Sequence, residues 1–318
     1  MEDVDLIQSS VVVVGSLNVD TVIPVRAIPM PGQTVMGGKL QTFPGGKGLN
    51  QAIAAARAGA DVSMIGLVGD DDGGRLLRRS LANAGVDHSL VGTAPNDASG
   101  RAFITVDGQG ENAIVVSPGA NGAVTPELVT QAADVIAGAK VVLVQLEVSM
   151  EAVAAAVDAA TGAVILNPAP APPAGKPLPH DVLSRIDILI PNRSELATIA
   201  GAFGPASVPT SVAEVKTLID RVEGPSRIIV TLGSDGVVVS DGDKVDHVPA
   251  PKVHAIDTTG AGDCFCGSLA GRLAQNDSTY DALRYAITAS ALSVTKSGAS
   301  DSMPTAQQVA DAWSRRHI

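Results

Sequence analysis

The sequence predicts an α/β fold: a doubly wound, mainly parallel sheet with helices on both faces, plus a small inserted β-sheet as a lid. Three observations predict it. Short β-branched runs alternate with Ala-rich stretches of helical period along most of the 318 residues. The runs are continuously apolar, as strands buried on both faces must be. Two stretches break the beat with extended, turn-rich sequence and no crossover helix after them.

The elements follow in order. Residues 11–15, with four consecutive valines, read as a buried strand. Residues 50–58 follow as a helix, with Leu49, Ala52, Ile53 and Ala56 on one face and Gly59 as its stop. Residues 62–68 form the next strand, and Asp70, Asp71 and Asp72 supply N-cap chemistry for a helix over 75–84 rather than a metal site. The unit returns with a strand over 140–146, a helix over 150–160 and a strand over 163–167. Residues 187–191 and 227–232 are further buried strands, each preceded by helical sequence. The Pro-rich residues 168–179 read as a loop within the domain. The C-terminal third is helical over 261–274, 280–295 and 305–316. Repeated β-α units imply a parallel sheet, whose ligands sit at the carboxyl ends of the strands.

The interruptions are residues 19–25 with 34–43, and residues 101–107 with 112–117, a hairpin around Gly108 to Gly110. Together they predict a small antiparallel sheet. Such a sheet cannot bury both faces alone, so it needs the core or a second subunit. The expected division is a core of residues 1–18, 44–98 and 119–318 and a lid of residues 19–43 and 99–118.

Composition narrows the function classes. Lys and Arg number 22 against 33 Asp and Glu, a formal net charge of −11. That balance argues against a general nucleic-acid binder, which needs clustered cations, and leaves room for a local site for a small phosphate. Aromatic residues, at 2%, are too few to stack single strands. The two cysteines, Cys264 and Cys266, exclude a disulfide framework and a Cys-rich zinc site. Two apart on a helix, they point away from each other. Glu2, Asp3 and Asp5 stand where a secretory signal would be basic, and no apolar run approaches about 18 residues. A cytoplasmic protein without a membrane segment is expected.

Five segments carry candidate chemistry. The strongest is Asp257-Thr258-Thr259-Gly260-Ala261-Gly262-Asp263, leading into a helix. Gly260 and Gly262 admit close approach of a ligand to the backbone. The helix start offers free N–H groups and a positive dipole end, an anion site. Asp263 puts a carboxylate there. It either caps the helix or serves as base for a hydroxyl attacking a phosphoryl group. At an ordinary aspartate pKa of about 3.9 it would be ionised at neutral pH.

Pro44-Gly45-Gly46-Lys47-Gly48-Leu49-Asn50 lacks the spacing of a P-loop or of a dinucleotide fingerprint. It is either a tight turn into a helix or a surface where Lys47 and Asn50 donate to the hydroxyls of a polar small molecule. In Gly15-Ser16-Leu17-Asn18-Val19-Asp20, Asn18 and Asp20 stand two apart in extended chain and face the same way. They either form an Asx turn or hold a polyol. In Pro191-Asn192-Arg193-Ser194-Glu195, Asn192 and Glu195 have capping-box spacing; the alternative puts Glu195 near a hydrated Mg²⁺. Thr231-Leu232-Gly233-Ser234-Asp235-Gly236 either offers backbone N–H groups to a nucleotide phosphate or makes a hairpin turn. Glu147 accepts from a substrate hydroxyl or is a solvated strand end. The five histidines show no ligand spacing.

Taken in order, these segments resemble the ribokinase/phosphofructokinase-B family of sugar kinases, over residues 11–305. The resemblance is closest to the ribose-phosphorylating members, on Asn18 with Asp20, Gly46-Lys47-Gly48-Leu49-Asn50, Gly110-Glu111-Asn112, Gly119-Ala120-Asn121 and Gln145-Leu146-Glu147. It implies ATP-dependent phosphorylation of D-ribose at O5, by a doubly wound core whose β lid contributes to a homodimer. It implies Asp263 as base, with Gly260, Ala261 and Gly262 as the anion hole. Asn18, Asp20, Gly46, Lys47, Gly48, Asn50, Glu147 and Asp263 would hold the sugar. Asn192, Thr231, Leu232, Gly233, Ser234, Asp235, Gly236, Gly262 and Asp263 would contact ATP, with Glu195 near Mg²⁺. A K⁺ site would use Asp257, Thr259, Ser293, Lys296, Gly298 and Ser302. Where family members often carry a polar His or Asn near adenine, this chain has Ile287, with Thr288 beside it.

The implied partners are D-ribose and ATP, with no nucleic acid and no membrane. The alternative is another kinase of the same family, acting on a nucleoside, fructose or a keto-deoxy sugar acid. Aromatics are scarce for a nucleoside shelf, and Arg101 is the one candidate for a sugar-acid carboxylate. A nicotinamide-dependent dehydrogenase would need G-x-G-x-x-G after the first strand, which is absent. A non-catalytic sugar sensor would leave Asp263 without a purpose.

Overall fold

The computed structural model describes residues 10–242 and 244–314. The readings made on residues 1–9 and on residues 315–318 lie outside the described residues. Thirteen strands are described: β1 (Val11–Val14), β2 (Asn18–Pro24), β3 (Gln41–Gly45), β4 (Val62–Gly69), β5 (Val91–Ala94), β6 (Gly100–Val106), β7 (Asn112–Ser117), β8 (Val141–Gln145), β9 (Ala163–Asn167), β10 (Ile188–Leu189), β11 (Arg227–Thr231), β12 (Val237–Asp241) and β13 (Lys244–Val248). Nine form one sheet in the order β13-β12-β11-β10-β9-β8-β1-β4-β5. It is parallel except for β12 and β13, which form an antiparallel edge.

The valines of β1 show why the sheet is central. All four are fully buried. Val11 and Val13 enter one apolar layer, with Leu49, Ala52 and Leu269 from two helices. Val12 and Val14 enter the other, with Val153 and Ala156 from the Met150–Ala159 helix. Alternate side chains serve opposite faces, and helices cover both. The sheet grows to one side of β1 through β4 and to the other through β8, so the carboxyl end of β1 lies at the topological switch point.

Three helices bear on that edge. The Lys47–Arg57 helix starts three residues earlier than its apolar period predicts, directly after Gly46. The Ala261–Ala274 helix has the predicted bounds. The Arg193–Ile199 helix, whose start the capping-box spacing predicts, opens with a complete capping box: Asn192 Oδ1 accepts from Glu195 N–H, and Glu195 Oε2 accepts from Asn192 N–H. Likewise Asp71, one of the three consecutive aspartates, caps the Asp72–Asn83 helix by accepting from Gly74 N–H.

The second sheet has the order β3-β2-β6-β7. The expected hairpin is present as β6–β7, but the sheet is mixed, not antiparallel, because β2 and β6 run parallel. Topology is the reason. β2 continues from β1 and β6 from β5, two strands of the parallel core, so both leave the core in one direction. Of the predicted extended stretch 34–43, only its end pairs, as part of β3. Residues 231–236 form the turn between β11 and β12, so the hairpin reading holds there. β13 escapes an apolar-run criterion because it carries Lys244, Asp246 and His247, as edge strands do. Among the described residues, no helix is long and apolar enough to cross a membrane.

Candidate active site

The carboxyl ends of β1, β8 and β9 meet the starts of the Lys47 and Ala261 helices. Gly48 lets them meet: a Cβ there would stand 2.6 Å from Ser16 N and 2.7 Å from Ser16 O, both backbone atoms. The helix start therefore lies directly on the chain leaving β1. Ser16 Oγ accepts from Gly48 N–H and donates to Glu147 Oε2. The same Oε2 accepts from Lys47 N–H at 3.1 Å. Glu147 is thus a structural tie between β8, β1 and the Lys47 helix rather than a solvated strand end.

Asn18 and Asp20 share a face of β2, as their spacing predicts. Asn18 Oδ1 accepts from Asn121 Nδ2 at 2.7 Å, and Asn121 Oδ1 accepts from Leu17 N–H, which fixes both amides and leaves the Asn18 NH₂ group to donate. The Asp20 carboxylate lies over Gly45 on the next strand, 2.2 Å from where a Cβ would be. Burial, then the charges of Glu147 and Asp263, push the Asp20 carboxyl up to about 7, with Lys47 opposing.

Asp263 is 8% exposed in the first turn of its helix. Asn50 Nδ2 donates to its Oδ2 and Gln51 Nε2 to its Oδ1, each at 3.0 Å. Sequence reasoning places Asp263 at the ordinary aspartate pKa; the structure raises it. Burial is the main cause. Lys47 and the two amides pull it down, and Glu147 adds to the rise. Burial alone would depress the Lys47 ammonium, but Asp263, Glu147 and Glu195 hold it above the usual lysine value. Burial likewise raises Glu195, against its bond to Asn192 N–H and against Lys47. One cation thus faces several carboxylates in a sheltered space. Asn50 Oδ1 is buried with no partner in the protein, as an acceptor awaiting a ligand hydroxyl would be.

The Ala261 helix starts at Gly260, at φ 73°, and no side chain caps it. Ala261 N–H turns back to Thr258 O at 3.2 Å, and the N–H groups of Gly260 and Gly262 are left for an anion. Gly260 packs on Ala299, which a Cβ would approach to 3.1 Å. The residues predicted for a cation gather behind that contact. Asp257 accepts from Thr259 N–H and Gly298 N–H, each at 2.9 Å. Its own burial works upward, but these bonds hold its carboxyl below the usual value. Ser293 and Ser302 are buried, their hydroxyls donating to the carbonyls of Ser290 and Ala299. Lys296 is exposed and lines a separate hollow with Gln308 and Asp311.

The predicted nucleotide residues form a second group. Asn192 bridges to Thr231, and Arg193 pairs with Asp235 at 2.8 Å, so the Gly233–Asp235 turn is tied to the Arg193 helix. Ile287 is buried on the Thr279–Ser293 helix and lines a hollow with Val248, Pro249, Pro251 and Trp313. Thr288 accepts from Trp313 Nε1 and donates to Arg284 O. Sequence reasoning did not single out Gln51 or Asn167; their only signal is that they are amides in buried, apolar surroundings.

A buried carboxylate next to an uncapped helix start, with polar side chains from a small overlying sheet, suits transfer of a phosphoryl group to a hydroxyl. Residues 8–306 match the pfkB family carbohydrate kinase, and the chain belongs to that family. Among individual relatives, it is 37% identical to the ribokinase of Staphylococcus aureus (strain COL), over 95% of this chain and 98% of that one. It is 34% identical to the deoxyribokinase of Salmonella typhi, over 94% and 96% of the two chains. Of solved structures, Arabidopsis thaliana ribokinase complexed with ribose and ATP superposes with a TM-score of 0.80 at 30% identity, covering 95% of this chain and 98% of that one.

Proposed function

We propose that the protein transfers the γ-phosphoryl group of ATP to O5 of D-ribose, giving ribose 5-phosphate and ADP. The observation that carries this reading is the Asp263 carboxylate, buried beside the free N–H groups of Gly260 and Gly262 and held by two amides. Asp263 accepts the O5 proton as the O5–P bond forms and the bond from phosphorus to the departing ADP oxygen breaks. Its basicity suffices because the hydroxyl becomes acidic only as the bond forms. The free N–H groups take up charge on the transferring oxygens. Asp20 accepts from sugar hydroxyls, Asn18 donates, and Asn50, Gly46 and Gly48 complete the sugar's surroundings. Asn192, residues 231–236 and Ile287 face the nucleotide.

Among the described residues, no group of three or more His, Cys, Asp or Glu side chains is placed to hold a metal. Mg²⁺ would enter on the nucleotide phosphates and meet the protein through one or two carboxylates, of which Glu195 is the candidate. The oxygen donors of Asp257, Ser293 and Ser302 would suit a hard cation such as K⁺, with Lys296 and Gly298 contributing backbone only. Mg²⁺ would neutralise phosphate charge, and K⁺ would brace the anion hole through the Gly260–Ala299 contact.

Residues 19–43 and 99–118 act as the lid. Val115 and Ile114 on β7 and Phe103 on β6 are exposed apolar groups, which supports pairing of two lids in a homodimer. Use of ATP and two free thiols suit the cytoplasm. The test is coupled ADP release with Mg-ATP and a panel of ribose, 2-deoxyribose, fructose, a ribonucleoside and a keto-deoxy sugar acid, with and without K⁺. Ribose gives the highest kcat/KM. A higher value for another sugar would replace the substrate assignment.

A further inference from the structure

We propose that Gln51 is a positioning residue for Asp263, its amide held the right way round by a one-directional chain of buried amides anchored on the main-chain carbonyl of Ile190. This rests on the reading of Asp263 as base. Gln51 and Gln145 are fully buried, and Asn167 is nearly so. Three amides in an apolar interior are costly unless their donors and acceptors are paired.

The pairing has one direction. Ile190 O can only accept, so Asn167 turns its Nδ2 toward it, at 2.8 Å. Asn167 Oδ1 then faces Gln51 and accepts from Nε2 at 3.1 Å. The second Nε2 hydrogen points to Asp263 Oδ1 at 3.0 Å. Gln51 Oε1 is left to accept, and Gln145 Nε2 donates to it at 2.7 Å. Turning Gln51 over would set oxygen against oxygen at Asp263 and Asn167, and NH₂ against NH₂ at Gln145. Gln145 Oε1 has no partner, a cost that accompanies the fixed polarity.

The two helices meet closely at this point. A Cβ on Gly267 of the Ala261 helix would stand 2.2 Å from Gln51 O, so the two helices touch there and Gln51 reaches across to Asp263. Asn50 holds Oδ2 but also faces the sugar site. Gln51, fully buried, has no route to a substrate and acts only through Asp263. Lys47, Glu147, Asp20, Glu195 and Cys266 also surround that carboxylate. Gln51 supplies it with a neutral donor of fixed direction.

The test compares Gln51→Met, which keeps the volume and removes both donors, with Gln145→Met, which leaves both Gln51 donor bonds but takes the donor from its Oε1 and so loosens its hold. Each is made in the wild type and in Asp263→Asn, and thermal unfolding, kcat and the KM for ribose are measured. Gln51→Met lowers kcat by about 10- to 100-fold, with the ribose KM within about threefold of wild type. Gln145→Met shifts kcat the same way by less. In Asp263→Asn, Gln51→Met has no further effect beyond about twofold. Unchanged kcat in folded Gln51→Met, or a loss that persists undiminished in Asp263→Asn, overturns the proposal. Should Gln51→Met not fold, Gln51→Glu, which keeps the shape and replaces the donor facing Asp263 with an acceptor, takes its place, and unchanged kcat in folded Gln51→Glu overturns the proposal. Near-normal turnover by Asp263→Asn alone overturns the base reading as well.

Discussion

Protonation of Asp20 makes sugar affinity depend on pH. Its carboxylate is pressed over Gly45 and shares a sheltered space with Glu147 and Asp263, which raises it from an ordinary 3.8 to about 7. In the free enzyme it is about half protonated at neutral pH. Sugar hydroxyls donate to the ionised form and favour it, so binding lowers the carboxyl's pKa and releases a proton. Ribose affinity is therefore full above about pH 7 and falls below it, by up to about tenfold for each unit. Asp20→Asn removes the titration. Its affinity is flat with pH, and at pH 8 it is weaker than wild type by about 1.5–3 kcal/mol, the contribution of one charged hydrogen-bond acceptor.

The same displacement bears on folding with the opposite trend. The folded carboxyl binds its proton more tightly than the unfolded one. Its contribution to stability is present below pH 3.8 and is lost as pH rises through about 7, at most about 4 kcal/mol. Asp20→Asn thus gains stability relative to wild type toward pH 8 and loses that advantage toward pH 4. Calorimetric titration with ribose across pH 5.5–8, with thermal unfolding at each pH, reads both effects. A wild-type affinity independent of pH, or Asp20→Asn binding as tightly as wild type at pH 8, would refute the reasoning.

Two further outcomes follow from the geometry. Gly48→Ala sets a methyl group 2.6 Å from Ser16 N; the helix must shift from its seat, at about 1–3 kcal/mol, and an unchanged unfolding temperature would contradict so close a seat. ATP hydrolysis without sugar is slow compared with phosphorylation, because the lid closes over bound sugar and excludes water; equal rates would contradict closure.

Most of the core was legible because its signals are local. The valines of β1, the strand over residues 163–167 and the Ala261 helix rest on runs of neighbouring residues, and their bounds agree closely with the structure. The lid was legible as a hairpin but not in its overall direction. The β2–β6 pairing joins segments about eighty residues apart, and its parallel sense comes from the core strands that feed it. The candidate site was legible as motifs at strand ends. Gln51 was not, because its helix is buried from Gly48 through Ala55 and so has no polar face against which a buried amide stands out. Nor was the state of Asp263 or Asp20. Their raised pKa values come from burial and from the charges of Glu147 and, for Asp20, Asp263, with Lys47 opposing, and these groups arrive together from distant segments. Asn192 and Glu195 show the converse: their spacing is a helix cap by itself, and the structure makes that cap while also turning Glu195 toward Lys47.

The central claim is that Asp263 takes the proton from the attacking sugar hydroxyl. A crystal structure with ribose and a non-hydrolysable ATP analogue tests it directly. One Asp263 oxygen is expected within about 2.6–3.2 Å of ribose O5, with O5 in line with the γ-phosphorus and the γ-phosphate oxygens on the N–H groups of Gly260 and Gly262. An Asp263 carboxylate turned away from O5, or a γ-phosphate bound apart from that helix start, would contradict it.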